Sequence, residues 1–352
     1  MAFSFQLTSE ESWNSIIKDI EGAKHSIELE LFIVDVDSVG LLLINTLREK
    51  AKQGVKVRLL VDGGGSFLFY MSRLSEEIKA EGVEISFFNH VVPWLPKNLK
   101  LFYFRNHRRS IIIDNEIAYT GGVCFSSNMK GWRETTIKID NLDAISEIHE
   151  AWVRMWEFSE HGKFKKRYKP TKKEWGYLTD TPVPRRRYLS KAFIELIKSS
   201  KKEIFLTTPY FVPDTKLMRN IKRAIKRGVS VSLLLPTHSN HPLVDRAGDF
   251  QKQELIKRGV KIYLYPHNMI HSKTAVFDDV GIVGSMNLDY VSLHYNFEGG
   301  LVVTNKECVN ELKEQFLNDI KNLSPLTPSK WHNRPLKQRV LSYLMWPFQK
   351  LL

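Results

Sequence analysis

Two stretches of the sequence place a histidine beside a cation at the spacing of a β-strand. His271 and Lys273 open HSKTAVFD, and His107 and Arg109 open an imperfect upstream copy, HRRSIIID. Residues two apart point to the same side of a strand, so each imidazole has a fixed positive charge next to it. Proton transfer and charge neutralisation are therefore expected at one place in each copy.

A pair of imidazoles that face each other suits phosphodiester exchange. One attacks phosphorus, and the other donates a proton to the departing alkoxide. Lys273 and Arg109 would neutralise the non-bridging oxygens as charge builds. The sequence has no HExxH, CxxC or Walker loop, and the protein itself supplies the cations. The chemistry is therefore expected to need neither a metal nor a cofactor.

The duplicated histidines belong to a longer internal repeat. Three further pairs of segments match in the same order: 23–34 with 200–212, 52–62 with 226–236, and 81–89 with 258–266. Ordered matches indicate two copies of one unit. A two-fold arrangement of these units would bring His107 and His271 face to face, with the active site at their interface.

Each unit has the pattern of an α/β fold. Helical segments such as WNSIIKDIEGAK alternate with apolar strands such as IELELFIV. This predicts a mixed, largely parallel sheet flanked by helices in each of two pseudo-symmetric units. Gly54, Gly82, Gly228 and Gly259 follow basic helix ends, where a C′ glycine terminates a helix.

The predicted boundaries are 1–160 for unit 1, 161–188 for a basic connector, 189–325 for unit 2 and 326–352 for a basic amphipathic tail. The connector is rich in Lys, Arg and Pro and lacks apolar periodicity. It is interpreted as an exposed linker, either lying along the surface or forming a solvated run of charge.

The bulk composition points toward anionic partners. The 352 residues carry a net charge of +13, which favours nucleic acid, an anionic membrane surface or phosphorylated substrates. A generally basic surface is the plain alternative. Cys124 and Cys308 form no disulfide framework and fit a reducing compartment. No signal peptide and no run of about 20 apolar residues is present, so membrane contact is expected to be peripheral, on the cytoplasmic face.

HSKTAVFD together with GSMNLDYVSLHYNFE resembles the HKD signature of the phospholipase D superfamily. TPYFVPD, LLVDGGGSF and GWRETTIKI are similar to segments of the soluble bacterial cardiolipin synthases within it. The resemblance covers nearly the whole chain, and it implies two phospholipase D-like units.

The resemblance implies a role for each matched position. His107 would be the nucleophile that forms a phosphohistidine, and His271 the general acid and then base. Glu134 and Glu298 would each orient the imidazole of the other unit. The residues implied to hold phosphate or substrate are Arg109, Lys273, Asn287, Ser285, Gly122 and Cys124, and those implied to be structural, by tying a strand to neighbouring backbone, are Asp114 and Asp278.

The sequence departs from the family pattern at two of these places and at one further position. Arg109 stands where Lys is usual and can bind phosphate bidentately, but it is bulkier. Cys124 stands where Asn is frequent and is at best a weak donor. Val291 replaces an arginine common in the second motif. Unequal sharing of the phosphate between the two halves is therefore expected.

Two segments favour a lipid substrate. Residues 89–104, just before His107, are rich in Trp, Phe, Leu and Pro and would either receive acyl chains or form an ordinary buried loop. In residues 335–352 apolar side chains recur at helical spacing between Lys337, Arg339 and Lys350. This pattern is typical of an interfacial anchor for anionic lipid, and packing onto the protein body is the alternative.

The leading hypothesis is a phosphatidyltransferase that uses phosphatidylglycerol as donor and a second phosphatidylglycerol, or another alcohol, as acceptor. A phospholipase D-type hydrolase or a nuclease acting on other phosphodiesters is the alternative, since basic charge serves a nucleic-acid backbone equally well. A non-catalytic lipid-binding protein is the third possibility. The sequence leaves the acceptor alcohol and the oligomeric state open.

Overall fold

The computed structural model describes residues 3–89, 104–164 and 174–351. The first half of the chain supplies β1 (Phe3–Thr8), β2 (Ser26–Leu31), β3 (Lys56–Asp62), β4 (Val83–Phe88), β5 (Ser110–Ile113), β6 (Ile117–Gly121) and β7 (Arg133–Ile139). They form a seven-stranded sheet in the order β1-β7-β6-β5-β2-β3-β4.

The second half repeats this sheet. Its strands are β8 (Trp175–Asp180), β9 (Glu203–Thr207), β10 (Phe211–Val212), β11 (Ser230–Pro236), β12 (Lys261–Tyr265), β13 (Thr274–Phe277), β14 (Val280–Gly284), β15 (Leu288–Asp289) and β16 (Glu298–Val303). Seven of them have the order β8-β16-β14-β13-β9-β11-β12, while β10 and β15 form a separate parallel pair. Strand for strand, the two seven-stranded sheets have one topology.

Both sheets are mixed, as predicted, but the parallel share is smaller than the alternation of helices and strands implied. Parallel pairing joins β2 to β3 and β3 to β4, and in the second sheet β9 to β11 and β11 to β12. All the other neighbours within the two sheets are antiparallel. In each unit one of these pairs, β5 with β6 and β13 with β14, is a tight hairpin, which forces antiparallel pairing.

Helices flank the sheets. In the first unit they span Ser9–Gly22, Ser38–Lys52, Phe67–Met71, Leu74–Ala80 and Leu142–His161, with a 3-10 turn at Ser127–Met129. In the second they span Tyr188–Ser199, Thr215–Lys226, Pro242–Ala247, Asp249–Lys257, Tyr290–His294 and Lys306–Ile320, with a 3-10 turn at Pro184–Arg186. The tail contains Pro328–His332, Leu336–Met345 and the 3-10 segment Trp346–Leu351.

The helix ends follow local chemistry. The Asp37 carboxylate accepts the backbone N–H groups of Val39 and Gly40 at one helix start, where an unpaired N–H needs an acceptor. Gly54 and Gly228 have φ of 86° and 88°, the left-handed region that only glycine enters without strain. These two positions, and equally Gly82 and Gly259, confirm the predicted C′ glycines.

The connector predicted for 161–188 is corrected by the structure. β8 lies within that range and forms the edge of the second sheet, paired with β16. Trp175 and Tyr177 are buried in the core. The prediction failed because TKKEWGYLTD is surrounded by basic residues that mask a short edge strand with only three apolar positions.

The two units share one apolar core. Ile112, Ala118 and Ile137 of the first sheet cluster with Val283 and Leu301 of the second. Each buried aliphatic side chain of this kind contributes about 1.5–3 kcal/mol. Because this packing fixes one sheet against the other, residues at the ends of both sheets can form a single site.

Two earlier expectations concern membranes. Within 3–89, 104–164 and 174–351, no helix has the length and apolar character needed to cross a bilayer. The aromatic-rich segment 89–104, expected beside the histidines, lies almost wholly outside the described residues.

Candidate active site

Backbone bridges between the units bring the histidines to the interface. Asn106, directly before His107, pairs in parallel with Phe297, and Ile270, directly before His271, pairs in parallel with Arg133. The N–H of His107 donates to the Phe297 carbonyl at 3.0 Å, and the N–H of His271 donates to the Arg133 carbonyl at 2.7 Å. Each histidine therefore lies beside the residue that follows its hydrogen-bond partner in the other unit, which is Glu298 for His107 and Glu134 for His271.

Those following residues are the two predicted carboxylates. Nδ1 of His107 lies 2.9 Å from Glu298 Oε1, and Nδ1 of His271 lies 2.7 Å from Glu134 Oε2. All four side chains are buried. A carboxylate on Nδ1 fixes the tautomer and leaves Nε2 as the ring nitrogen for chemistry.

The surroundings of the two carboxylates differ. The Ser285 hydroxyl donates to Glu298, and Asn296 Nδ2 donates to the same carboxylate at 3.3 Å. Gly122 is the counterpart of Ser285, and a Cβ there would lie 2.6 Å from Glu134 Oε1. Glycine at this position therefore makes room for Glu134.

The two cations have equivalent backbone contacts and different side-chain contacts. Arg109 Nη1 donates to the carbonyl of His107, and Lys273 Nζ donates to the carbonyl of His271. Arg109 also places Nε and Nη2 each 3.4 Å from Cys124 Sγ. The two departures of the first unit from the family pattern are therefore in contact, and the small sulfur accommodates the longer arginine.

Burial and charge govern protonation at the site. Burial lowers the pKa of His107 well below its ordinary value, and the charges of Arg109 and Lys273 act in the same direction. Burial also lowers the pKa of His271 to about 3 and that of Lys273 to about 7. Both imidazoles are therefore neutral at neutral pH before substrate binds. An anionic phosphodiester beside the two cations would raise these values again.

The two orienting carboxyls are shifted in opposite directions. Burial raises the pKa of Glu298 to about 8, against hydrogen bonds from Ser285 and the charge of Arg109. Burial also raises the pKa of Glu134, but interactions with His271 and Lys273, together with the hydrogen bond from the Thr135 N–H, outweigh it and lower that pKa. The two carboxyls therefore differ in proton affinity, and Glu298 binds a proton more readily than Glu134 does.

Asp114 and Asp278 lie away from the imidazoles in matching turns. Both adopt left-handed backbone, with φ of 54° and 50°. The Asp114 carboxylate accepts three backbone N–H groups, from residues 24, 25 and 26. Asp278 accepts from residues 201, 202 and 203. Each carboxylate joins a hairpin to the strand that runs beside it.

The histidines share a cavity of about 280 Å³ at the unit interface. Of the predicted residues, His107, His271, Arg109 and Asn287 line it. Four of the other predicted residues contact these lining residues: Lys273, Glu134, Glu298 and Cys124. Ser285 and Gly122 lie against the two carboxylates instead. Val291, at the third departure, also lines the cavity.

Sequence reasoning missed part of the cavity wall. Tyr210, Asn240 and His241 line it and were not singled out. All three follow the carboxyl ends of the parallel strands β9 and β11, the edge at which α/β sheets bind ligands. Their position directly after these strands was the sequence signal that could have identified them. Among the described residues, no group of three His, Cys, Asp or Glu side chains is arranged to hold a metal.

Comparison with solved structures identifies the fold. Phosphatidylserine synthase from Haemophilus influenzae superposes with a TM-score of 0.77 at 14% identity, covering 99% of this chain and 93% of that one. Polyphosphate kinase from Porphyromonas gingivalis gives a TM-score of 0.65 at 15% identity, with 99% and 53% covered. At such low identity these matches establish the two-unit fold alone.

Sequence comparison identifies the family. The profile described as "Cardiolipin synthase, PLD-like domain" matches residues 16–156 and 193–320. Cardiolipin synthase 1 of Staphylococcus aureus is 33% identical over 341 residues, 92% of this chain and 68% of that protein. Cardiolipin synthase of Listeria monocytogenes is 32% identical over 342 residues, 93% and 70%. The chain belongs to this phospholipase D-like family and is an enzyme of the phosphatidyltransferase class.

Proposed function

We propose that the chain makes cardiolipin from two molecules of phosphatidylglycerol. In the first step His107 Nε2 attacks phosphorus, the bond from phosphorus to the glycerol oxygen breaks, and His271 gives its proton to that oxygen. In the second step His271 takes the proton of an acceptor hydroxyl, whose oxygen attacks phosphorus as the bond to His107 breaks. Free glycerol and cardiolipin leave.

One observation carries this proposal: two buried imidazoles lie in one cavity, each bound through Nδ1 by a carboxylate of the other unit. Equivalent histidines give both a nucleophile and a proton donor across a single phosphorus. Arg109 and Lys273 supply the positive charge that the pentacovalent transition state requires. Removing one such donor from an enzyme typically costs about 2.7–4 kcal/mol of activation free energy.

Transfer has to compete with hydrolysis, since water is far more concentrated than lipid hydroxyls. The low exposure of His107 and His271, 7% and 4%, supports a site that limits access of water to the phosphohistidine. An acceptor held in place then reacts with a high effective concentration.

Mass spectrometry of the products formed from phosphatidylglycerol vesicles tests the function. Cardiolipin and glycerol are expected from the native enzyme, and neither from His107→Ala or His271→Ala. His25→Ala, which changes an exposed histidine outside the cavity, is the matched control. Parallel incubations with single- and double-stranded DNA test nucleic acid as the alternative substrate. Cleaved DNA with unchanged lipid would refute the proposal.

The tail supports a site of action at an anionic membrane surface. Its helix Leu336–Met345 packs on the second unit through Ser342, whose Oγ donates to Asp249 Oδ2 at 2.6 Å, and through the Tyr343 ring, which meets Phe250 edge to face. Other apolar side chains of the tail point outward, with Leu344 61% and Phe348 51% exposed.

Basic residues accompany this apolar face. Lys337 and Lys350 are exposed, and Arg339 is partly so. The final turn, Trp346–Leu351, contacts the helices Pro242–Ala247 and Tyr290–His294, which contribute residues to the cavity wall. Apolar insertion combined with attraction to anionic head groups would hold the mouth of the site at the lipid surface.

Co-sedimentation with vesicles tests this peripheral attachment. The triple variant Leu344→Ser/Trp346→Ser/Phe348→Ser is expected to lose binding to phosphatidylglycerol vesicles by at least about tenfold, because each side chain would bury apolar area worth about 1.5–3 kcal/mol. Leu142→Ser removes a side chain that is 71% exposed on the first unit and is the control. Equal binding of the triple variant and the control would exclude the tail as the membrane contact.

A further inference from the structure

The cavity has two chemically different walls. Apart from His107 and two arginines, the first unit contributes Phe32, Ile33, Met129 and Trp132. The second unit contributes a polar wall, which includes Tyr210, Asn240 and His241. The repeat does not require this difference, because the two units share one topology.

Equivalent positions define the difference. Val34 forms a parallel bridge with Phe125 in the first unit, and Phe211 pairs in parallel with Leu288 at the same place in the second. The residues just before them, Ile33 and Tyr210, are therefore counterparts. An apolar side chain in one wall is matched by a phenol in the other.

The loops after β3 and β11 also differ in polarity, and again the second unit is the more polar. In the first unit, residues 63–66 read GGGS, and a Cβ on Gly64 would lie 2.6 Å from Arg105 Nη2. In the second, residues 237–241 read THSNH. The first loop is small enough to admit Arg105, whereas the second carries Asn240 and His241 into the cavity wall.

The three polar residues form a connected group on a fixed loop. Tyr210 Oη donates to Asn240 Oδ1 at 2.5 Å, and the Tyr210 and His241 rings meet edge to face at 5.4 Å between centroids. The N–H of His241 donates to Ser239 Oγ, while the N–H of Ser239 donates to Asp245. The loop is thereby held before any ligand arrives.

Protonation suits this group to neutral hydroxyls. Burial lowers the pKa of His241, and the nearby charge of Asp245 opposes that shift only in part. At neutral pH the imidazole therefore offers one donor and one acceptor. Asn240 has an amide and Tyr210 a phenol, so the group as a whole can both donate to and accept from alcohol oxygens.

We propose that Tyr210, Asn240 and His241 form a subsite for the free hydroxyls of a glycerol head group. The subsite receives the head group of the departing alcohol and then that of the acceptor, and it selects polyols over alcohols with a single hydroxyl. The inference rests on the proposed transfer reaction, whose donor lipid it leaves unchanged. A departing glycerol offers it two hydroxyls besides the reacting oxygen. The head group of an acceptor phosphatidylglycerol offers one, because its third oxygen is already esterified to phosphate.

Competition between acceptors tests the subsite. The enzyme is given phosphatidylglycerol vesicles with equal concentrations of deuterated glycerol and 1-propanol, and the ratio of labelled phosphatidylglycerol to phosphatidylpropanol is measured by mass spectrometry. A preference for glycerol is expected in the native enzyme. His241→Ala is expected to reduce that ratio about tenfold, the equivalent of about one good hydrogen bond.

Control variants separate binding from structure. His241→Gln keeps a donor and an acceptor and is expected to recover most of the ratio. Leu243→Ala, at an exposed side chain outside the cavity lining, is expected to leave it unchanged. The ratio of the two products is the readout, because both form from the same phosphohistidine and any effect on the donor step cancels in it.

An unchanged ratio in His241→Ala with normal phosphatidylpropanol formation would refute the subsite while the transferase survives. A native enzyme that forms neither labelled product would instead refute the transfer reaction, and the subsite with it. A fall in both products to the same extent would leave the ratio unchanged, so it would exclude selection of the acceptor by His241 and also contradict the inference.

Discussion

The two units are alike in the backbone geometry that sets the site and unlike in several of the side chains around it. Asn106 and Ile270 make equivalent cross-unit bridges, and His107 and His271 bind carboxylates in the same way. Around this frame, the second unit has lysine, asparagine and serine where the first has arginine, cysteine and glycine.

The difference fits the chemistry of the proposed reaction. In its two steps attack and protonation are mirror-image tasks, so paired imidazoles would need equivalent placement. The two substituents on the phosphorus of the proposed substrate are different, one a diacylglycerol and the other a head group. A wall with Phe32 and Ile33 opposite a wall with Tyr210 and His241 fits that asymmetry.

The largest predicted effect separates the two histidines. With a phosphatidyl ester of p-nitrophenol, whose leaving group needs no proton, His271→Ala is expected to keep a burst of nitrophenolate and lose turnover by about 10²–10⁴-fold. His107→Ala is expected to give no burst. Stopped-flow absorbance measures both, and a burst from His107→Ala would reverse the assigned roles.

Next in size is the exchange of small residues at the carboxylates. Gly122→Ala places a Cβ 2.6 Å from Glu134 Oε1, so the carboxylate must move away from His271. Activity is expected to fall about 10–100-fold, as for lost orienting partners elsewhere. Ser285→Ala removes one donor to Glu298 and is expected to cost less. The kcat of each variant tests both expectations, and circular dichroism checks that each variant is folded.

A pH profile compares the two cations. Because burial lowers the pKa of Lys273 to about 7, its charge is present below that pH and lost as pH rises through it. The value of kcat/KM is expected to fall above about pH 7. Lys273→Arg should shift that fall upward, since arginine stays charged. An identical profile for this variant would show that another group titrates.

The smallest effect concerns the contact between Arg109 and Cys124. Either Arg109→Lys or Cys124→Asn alone is expected to weaken transfer, and the double variant to recover part of the loss, since it restores the residue pair of the second unit. A double-mutant cycle on kcat/KM is expected to give a coupling of about 0.5–3 kcal/mol. Strict additivity would mean that the 3.4 Å contacts carry no functional coupling.

Much of the fold could be predicted because it depends on local patterns. Apolar strands, basic helix ends and glycines such as Gly54 and Gly228 are short-range signals, and the repeat doubled each of them. β8 was missed because an edge strand needs few apolar residues, and its pairing with β16 depends on residues far away in the chain. The tail pattern predicted an amphipathic helix, and which face turns inward depended on Asp249.

By itself, the sequence determined the residue types of the reaction centre, their duplication and the two-unit plan. Those properties follow from spacing along the chain, which periodicity converts directly into a shared side of a strand. Only the tertiary structure decided that the Arg109 guanidinium contacts Cys124 and that Tyr210, Asn240 and His241 form one wall. Contacts between distant segments depend on how two packed sheets meet, and no local pattern encodes that meeting.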